Sequence, residues 1–329
     1  YIHVPFCGSI CSYCHFARTA DHGFEVRRRY VEAVCRELEL RREACSLLTG
    51  GRPLRTVYLG GGTPSQLEPE LMGRLLEGTV QRLPQAAELE LTAEANPESL
   101  TEEKARAWRE AGINRISLGV QSLDAQVLKL LGRACPPETA RAALRLATRH
   151  FERVSADWIL GPGLQEGALL AELQEAIDLG VEHFSVYILE LHAGTELERR
   201  VRRGAVNLLP DEQTEAQYLA VVRHLAERGF RHYEVSNFAL PGAESRHNQG
   251  YWRRRPFLAL GPAAHGAYGK RRYANLEDIG GYCAAVEGGR IPEQSEDPLD
   301  LKARLLERII LGLRTADGVP LDWLAADCL

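Results

Sequence analysis

Apolar and polar positions repeat with two different periods along this chain, and segments of one period alternate with segments of the other. A period of two predicts strands at 1–6, 56–61, 88–96, 115–121, 154–160 and 183–190. A helical period predicts helices at 24–48, 66–83, 102–111, 124–131, 137–149 and 167–179. This alternation predicts an α/β fold whose parallel sheet is wound right-handed, either open or curled into a barrel.

Several predicted strands carry polar side chains on one face. The polar positions are Glu90, Thr92, Glu94, Asn96, Ser117, Gln121, Ser155 and Asp157. Parallel strands that are covered by helices on both faces usually read as continuous apolar runs instead. A polar inner face must contact water or a ligand, because unpaired buried polar groups are costly. We therefore expect a partial barrel with a ligand-binding lumen.

Composition narrows the class of protein. The 329 residues are 45% hydrophobic and 26% charged, with a net charge of −5, as in ordinary globular proteins. No basic block suggests a nucleic-acid partner. No apolar run reaches the ~18 residues of a transmembrane segment, and no signal peptide is visible. We expect a cytoplasmic protein. Because the chain begins at Tyr1, an organelle-targeting peptide ahead of this residue is kept as an alternative.

Three cysteines lie close together near the start of the chain, as Cys7, Cys11 and Cys14. Thiolates are the natural ligands of iron–sulfur clusters, and three ligands on a four-iron cluster keep one iron open to a substrate. The same thiolates with His15 also fit a zinc site of three cysteines and one histidine. The other five cysteines are scattered, which favours a reducing compartment over a disulfide framework.

A glycine-rich turn, Gly-Gly-Gly-Thr-Pro at 60–64, ends the strand predicted at 56–61. Alone it indicates a tight strand–helix connection, and it lacks the Gly-Lys-Ser/Thr of a phosphate loop. Glycines let the backbone approach a ligand closely. Together with the cysteine motif, GGGTP resembles the radical S-adenosylmethionine (SAM) motif whose backbone grips the amino group of SAM.

The similarity extends along nearly the whole chain, through YIHVPFC, YLGGGTPS, EANPESL, RISLGVQSLD, LLGR, YEVSNFA and HNQGYW. These segments resemble the radical SAM branch that contains oxygen-independent coproporphyrinogen III oxidase and its relative, the haem chaperone. The resemblance implies a partial (β/α)6, TIM-like barrel over 1–235. It also implies a smaller, mainly helical C-terminal region at 236–329, which we expect to be truncated.

The resemblance also implies cofactors and the residues that hold them. Cys7, Cys11 and Cys14 would bind a [4Fe–4S] cluster that an electron donor reduces. The residues that match the family's SAM contacts are Tyr1, Tyr13, Gly61, Gly62, Thr63, Glu94, Gln121, Arg133 and Asp157.

Two features separate the oxidase from the chaperone. The oxidase pattern adds a fourth cysteine where this chain has Phe16, and residues 247–252 match the His-Asn-x-x-Tyr-Trp pattern of the chaperone branch. The resemblance therefore implies a protein that binds haem and passes it to an acceptor protein. A radical SAM enzyme that decarboxylates a tetrapyrrole, or performs another radical methylation or cyclisation, stays the alternative. A structural zinc-bound interaction protein is the third reading.

His247 is the residue that we expect to contact haem, because an imidazole can ligate haem iron. Tyr251 or Trp252 could stack on a porphyrin face, and the arginines at 253–255 could pair with propionates. A hydrogen-bonded structural histidine and a solvated arginine surface are the alternatives. His265 is a second candidate ligand.

Overall fold

The computed structural model describes residues 1–20, 23–42, 52–269, 271–298 and 300–321. The described residues fall into two compact units. The first unit comprises Tyr1–Phe6, Ala17–Thr92 and the chain from Ser245 onward, and the second comprises Cys7–Phe16 and Ala93–Glu244. The boundary predicted at residue 235 stays a prediction.

The first unit opens with parallel β–α elements. They are β1 (Ile2–Val4), α1 (Phe24–Leu40), β2 (Leu54–Gly61), α2 (Pro69–Gly78) and the first part of β3 (Gln85–Ala95). β1 pairs with β2 in parallel, and His3 lies opposite Gly60. One stripe of α1 is buried, including Tyr30, Val34 and Leu38, which is the helical spacing of a core-facing side.

The second unit continues the same alternation. Its elements are the last three residues of β3, α3 (Glu102–Glu110), β4 (Arg115–Gln121), α4 (Ala125–Leu130), α5 (Pro137–His150), β5 (Arg153–Leu160), α6 (Glu166–Asp178), β6 (His183–Ile188), α7 (Glu196–Arg202), α8 (Asp211–Glu227), β7 (Arg231–Glu234) and β8 (Asn237–Ala239). The strands β4, β5 and β6 are parallel neighbours, and β8 then β7 extend the sheet in antiparallel pairing. The strand β5 buries Trp158.

The chain then returns to the first unit with α9 (Arg246–Trp252), β9 (His265–Tyr268), β10 (Arg271–Asn275), α10 (Ile279–Glu287), β11 (Glu293–Pro298) and α11 (Leu301–Leu313). The three strands form an antiparallel sheet in the order β11-β10-β9. The sequence analysis did not predict this sheet, since its strands are short and lack a regular alternation. None of the helices in the described ranges is long and apolar enough to cross a membrane.

The predicted α/β architecture is confirmed, and the six predicted strands are β1 to β6. The helix predicted at 66–83 is shorter: α2 begins at Pro69, because proline suits the first turn of a helix. It ends at Gly78, and a separate turn covers Val80–Arg82. The predicted extension of the first helix to residue 48 falls, from residue 43 onward, outside the described residues.

A buried ion pair closes the end of α1. The Arg41 Nε lies 2.7 Å from Glu37 Oε1, and the side chains are 1% and 0% exposed. Arg41 also donates to Asn275 Oδ1 at 2.7 Å and to Glu293 Oε1 at 2.6 Å. Its guanidinium lies 4.1 Å from the ring centroid of Tyr273. Burial of a charged guanidinium is costly, and these partners compensate Arg41 for the water that it loses.

Glu37 is surrounded by donors in turn. It accepts hydrogen bonds from the Tyr282 hydroxyl at 2.6 Å, the Asn275 amide at 2.8 Å and the backbone N–H of Gly261 at 2.9 Å. A Cβ at Gly261 would lie 2.5 Å from the carbonyl oxygen of His3. The network therefore joins α1, β10 and α10 to the backbone at Gly261, which packs on His3 of β1.

We predict that Arg41→Met destabilises the fold by roughly 3–5 kcal/mol, because it leaves the Glu37 carboxylate buried without its cation. Arg36→Met is the matched control on the same helix. Arg36 pairs with Glu39, but both side chains are more than half exposed, so we expect a loss of only about 0–1 kcal/mol. Denaturant unfolding of both variants measures the difference, and equal losses would contradict the role assigned to the network.

Candidate functional site

The three clustered cysteines lie on one loop of the second unit. Cys7 is buried, Cys11 and Cys14 are half-buried, and none of the six described cysteines forms a disulfide. No three Cys, His, Asp or Glu side chains in the described ranges are grouped tightly enough to hold one metal ion. Thiolates on a single zinc ion would stand roughly 4 Å apart, whereas each ligand of a four-iron cluster holds a different iron. Three thiolates are a donor set that a four-iron cluster accepts.

The centre of this loop is anchored by Ser12. Its backbone N–H donates to Leu131 O at 3.0 Å, and its hydroxyl donates to Leu130 O at 3.0 Å. Its carbonyl accepts from the N–H of Leu197 at 2.8 Å. Gly132 packs against it, and a Cβ there would lie 2.8 Å from the Ser12 nitrogen. The loop is thus held by the turn that follows α4.

Arg133 follows that turn and reaches the loop. Its Nη1 donates to Cys11 Sγ at 3.5 Å and its Nη2 donates to Gly119 O at 2.8 Å. Glu98 lies 3.6 Å away, and the arginine side chain is only 4% exposed. The Nε atom is buried and has no hydrogen-bond partner among the described residues. A buried cation with an unused donor is suited to an anionic ligand group.

Tyr13 packs beside the cysteines on an apolar cluster of Val127, Leu131 and Ile159. Burial raises the pKa of its phenol, and the neighbouring Cys11 raises this pKa further. The hydroxyl therefore stays protonated and is available as a hydrogen-bond donor.

The polar strand face predicted from the sequence is present in the second unit. The Ser117 hydroxyl donates to Asp157 Oδ1 at 3.3 Å, and Asp157 lies opposite Ser185 in the pairing of β5 with β6. Burial raises the pKa of Asp157 to about 6, and hydrogen bonds from Ser185 and Ser117 oppose that rise. The carboxyl is consequently ionised near neutral pH and can accept hydrogen bonds from a ligand.

The carboxyl ends of β3 and β4 bring further predicted residues to this unit. Gln121 is buried with a φ of 70°, a conformation that non-glycine residues adopt rarely and that marks functional sites. A Cβ at Gly119 would lie 3.0 Å from Gln121 Nε2 and 3.1 Å from Asn96 Oδ1. Glu94 is half-buried near the end of β3.

In the first unit, the glycine-rich turn packs directly on β1. The N–H of Gly62 donates to Val4 O at 2.8 Å, and the N–H of Thr63 donates to Phe6 O at 2.7 Å. A Cβ at Gly62 would lie 2.7 Å from both Val4 O and the carbonyl carbon of Pro5. Gly61 has a φ of 108°, and a Cβ there would overlap the ring of His3. Only glycine permits this contact, and Phe6 directly precedes the first cysteine.

A row of aromatic rings joins Tyr1 to His247. Tyr1 stacks on Tyr58 at a centroid distance of 6.4 Å, and Tyr58 stacks on His247 at 5.2 Å. The Tyr1 hydroxyl also lies 3.0 Å from His3 Nδ1. The first residue of the chain is therefore part of the same wall as the predicted haem residue.

His247 is 5% exposed, and both of its ring nitrogens are engaged. Its Nδ1 lies 3.0 Å from Thr56 Oγ1 and its Nε2 lies 2.8 Å from the Tyr251 hydroxyl. Its backbone N–H donates to Glu90 Oε1 at 2.9 Å. Burial lowers the pKa of His247 well below its usual value, so the imidazole is neutral.

A cavity of about 590 Å³ lies beside His247 in the first unit. Leu54, Val57 and Phe257 contribute to its apolar walls, and Tyr251 lies on the same side as His247. Four arginines complete the lining: Arg52, Arg55, Arg246 and Arg255. The first three were missed by the sequence analysis, since nothing in their local sequence distinguishes them from surface arginines.

Arg253, Arg254 and Trp252 contact other side chains of the first unit. Arg253 pairs with Asp317 at 3.2 Å, and Arg254 pairs with Glu307. Trp252 lies under the guanidinium of Arg314, 4.6 Å from ring centroid to Cζ. None of these three residues lines the cavity, whereas His247, Tyr251 and Arg255 of the predicted haem residues do.

We predict that Gly62→Ala destabilises the protein by about 1–3 kcal/mol, because the added methyl group meets rigid backbone of β1. The displaced strand leads into the cysteine loop, so iron retained after anaerobic reconstitution should also fall. Gly73→Ala is the control: nothing lies within 4 Å of its Cβ position, and alanine favours a helix by about 1 kcal/mol. Thermal unfolding and iron analysis are carried out on both variants. Two variants with the same stability and the same iron content would contradict the close packing of Gly62 on β1.

Comparisons with known proteins identify the family of this chain. Residues 1–176 match the radical SAM superfamily. The chain is 37% identical over 330 residues to heme chaperone HemW of Mycobacterium tuberculosis, covering 99% of this chain and 84% of that protein. It is 36% identical to the mitochondrial radical S-adenosyl methionine domain-containing protein 1 of Bos taurus, covering 97% of this chain and 73% of that protein.

The fold is similar to that of coproporphyrinogen III oxidase (HemN) from Escherichia coli, a radical SAM enzyme. The TM-score is 0.81 at 21% identity, covering 96% of this chain and 75% of that chain. This likeness confirms the predicted radical SAM fold. Since the matches to relatives extend over nearly the whole chain, the protein belongs to the radical SAM superfamily and, within it, to the family of heme chaperone HemW.

Proposed function

We propose that this protein is a haem chaperone that binds a [4Fe–4S] cluster, SAM and haem and transfers the haem to an acceptor protein. Membership of the radical SAM superfamily implies the cluster and SAM, and the HemW relatives are named as heme chaperones. The structural observation that supports haem binding is the cavity of about 590 Å³ beside the HNQGYW segment. A cytoplasmic location stays part of this proposal.

In the second unit, we propose that Cys7, Cys11 and Cys14 hold the cluster, which supplies the electron for reductive chemistry on SAM. The Arg133 guanidinium lies beside Cys11 and donates to its Sγ. Its unused Nε is suited to the carboxylate of SAM, because arginine binds carboxylates with paired donors.

Four further residues of this unit are proposed SAM contacts. Glu94 and Asp157 would accept hydrogen bonds from the ribose hydroxyls, which are donors. Gln121, on the strand that ends at the same edge, would offer an amide to the ligand. The protonated hydroxyl of Tyr13 would donate to it.

In the first unit, we propose that the backbone of Gly61 and Gly62, with Thr63, grips the amino group of SAM. The absence of a Cβ at Gly62 brings this backbone against β1, which leaves its carbonyl groups close to the strand end. Tyr1, at the start of that strand, is the remaining proposed contact.

The cavity of the first unit suits a flat macrocycle with carboxylate arms. Its volume lies within the ~300–1,000 Å³ of small-molecule sites, and its apolar walls would cover the porphyrin. Arg52, Arg55, Arg246 and Arg255 would pair with propionates. We propose that His247 contacts haem from the wall of this cavity. To ligate the iron directly, its ring would have to give up its hydrogen bond to Tyr251 or to Thr56.

A second candidate is a radical SAM enzyme that acts on a tetrapyrrole. The observation that supports it is the polar strand face with Ser117, Asp157 and Ser185, which would hold SAM in either candidate. Both candidates require an electron donor for the cluster. They differ in whether haem is carried unchanged or a tetrapyrrole is altered.

We predict that anaerobically reconstituted protein holds about four irons and four sulfides per chain. Replacing Cys7, Cys11 or Cys14 by serine should remove most of both. Cys135→Ser is the control in the same unit: Cys135 is buried and burial raises its pKa to about 11, so it stays a thiol. Iron and sulfide analysis measures this, and stoichiometric zinc without sulfide would exclude both radical SAM functions.

We predict that the full protein binds haem saturably and near 1:1 at the cavity, with His247→Ala weakening binding about tenfold, the equivalent of ~1.4 kcal/mol. His150→Ala serves as the control, since His150 pairs with Glu102 on the surface of the second unit. An absorbance titration under anaerobic conditions measures both variants. Wild-type protein that binds no haem would rule out the chaperone, and turnover of coproporphyrinogen would then favour the enzyme.

A further inference from the structure

Helix α6 of the second unit buries a carboxylate that is not among the proposed cofactor contacts. Glu172 lies on the buried stripe of this helix, with Leu169, Leu173 and Ala176, and is 8% exposed. Apolar side chains are the usual occupants of such a stripe, and a buried carboxylate is costly unless donors surround it. Packing alone therefore does not account for a carboxylate at this position.

Neutral donors from two neighbouring segments converge on Glu172. The Ser122 hydroxyl lies 2.9 Å from Oε1 and 3.0 Å from Oε2, and the Trp158 indole N–H donates to Oε2 at 2.9 Å. Burial raises the pKa of this carboxyl, and hydrogen bonds from the Leu123 backbone, from Trp158 and from Ser122 oppose that rise. One acceptor group thus joins β5 to the segment that follows β4.

Each of the two side-chain donors is adjacent in the sequence to a proposed SAM contact. Ser122 directly follows Gln121, and Trp158 directly follows Asp157. Gln121 also lies opposite Trp158 in the pairing of β4 with β5. The φ of 70° at Gln121 is a conformation that persists only where the surrounding structure holds it. The bonds to Glu172 hold the next residue, and they thereby fix the backbone that carries the Gln121 amide.

The donors around Glu172 require a carboxylate rather than an amide. The Trp158 indole and the Leu123 backbone can only donate, and the Ser122 oxygen already accepts from the N–H of Asp124 at 3.0 Å. An amide at this position would offer one acceptor oxygen and would direct an NH2 donor at one of these groups. Glutamine, which has the size of glutamate, therefore disturbs the bonds without disturbing the packing.

We propose that Glu172 is a positioning residue for SAM. Its bond to Ser122 sets the place of Gln121, and its bond to Trp158 sets the place of the strand residue before it, Asp157. This inference rests on the proposed SAM site and adds the group that preorganises it. Preorganised contacts bind a ligand more tightly, because the protein has less freedom to lose on binding. Loss of the bonds to Glu172 therefore weakens SAM binding while the fold is retained.

The test measures SAM binding to anaerobically reconstituted protein by equilibrium dialysis. Glu172→Gln changes the bonds at constant size, and Ser122→Ala removes the hydroxyl alone. We expect each variant to raise the Kd for SAM about tenfold, because each leaves a buried group without its partner. Glu175→Gln is the matched control on the same helix. Glu175 pairs with Arg141 of α5 at 2.6 Å, so its loss should change the Kd for SAM by less than about twofold.

A double-mutant cycle and two further measurements distinguish positioning from a general loss of stability. If Glu172 acts through Ser122, the double variant binds SAM about as weakly as either single variant, because the two residues work as one unit. Iron and sulfide content should match the wild type in every variant. Haemin affinity at the cavity of the first unit should also be unchanged, since Glu172 belongs to the second unit.

The outcomes separate this inference from the function on which it rests. A wild-type Kd for SAM in both Glu172→Gln and Ser122→Ala would overturn the inference, while SAM binding by the protein would stand. Effects that add in the double variant would contradict action through Ser122. Variants that lose SAM, haemin and iron together would show that Glu172 only stabilises the fold, which also overturns positioning. Wild-type protein that holds a complete cluster but binds no SAM would refute the proposed SAM site itself.

Discussion

The contact of the glycine-rich turn with β1 is the constraint on which much of the candidate site depends. Backbone meets backbone at Gly62, where a single methyl group would overlap Val4 and Pro5. The same strand is held from the other side by Gly261, whose N–H reaches the buried Glu37. This strand is followed in the sequence by Cys7, the first of the proposed cluster ligands, so the chain enters the cysteine loop from packing that allows no side chain.

Two buried charged groups of this protein differ in how fully their hydrogen bonds are satisfied. Glu37 and Arg41 satisfy each other and their neighbours, so their burial is compensated within the protein. Arg133 is also buried, but its Nε has no partner among the described residues. Because an unsatisfied buried donor is costly, the second group is informative about binding in a way that the first is not.

The parts of the fold that the sequence predicted are those with local causes. Strands and helices follow from side-chain period, and the polar face with Asp157 follows from alternation within single strands. The antiparallel sheet of β9, β10 and β11 was missed, since short strands carry little periodicity. The helix predicted from residue 66 begins instead at Pro69. Three of the cavity arginines, Arg52, Arg55 and Arg246, were also missed, because residues that are far apart in the sequence come to line one cavity only after folding.

Burial also limits what His247 can do. The side chain is 5% exposed and bonded at both ring nitrogens. Any ligand that contacts the ring nitrogens must therefore displace the bond to Thr56 or the bond to Tyr251. Because a buried polar atom that loses its partner is costly, such a ligand has to replace the bond that it breaks.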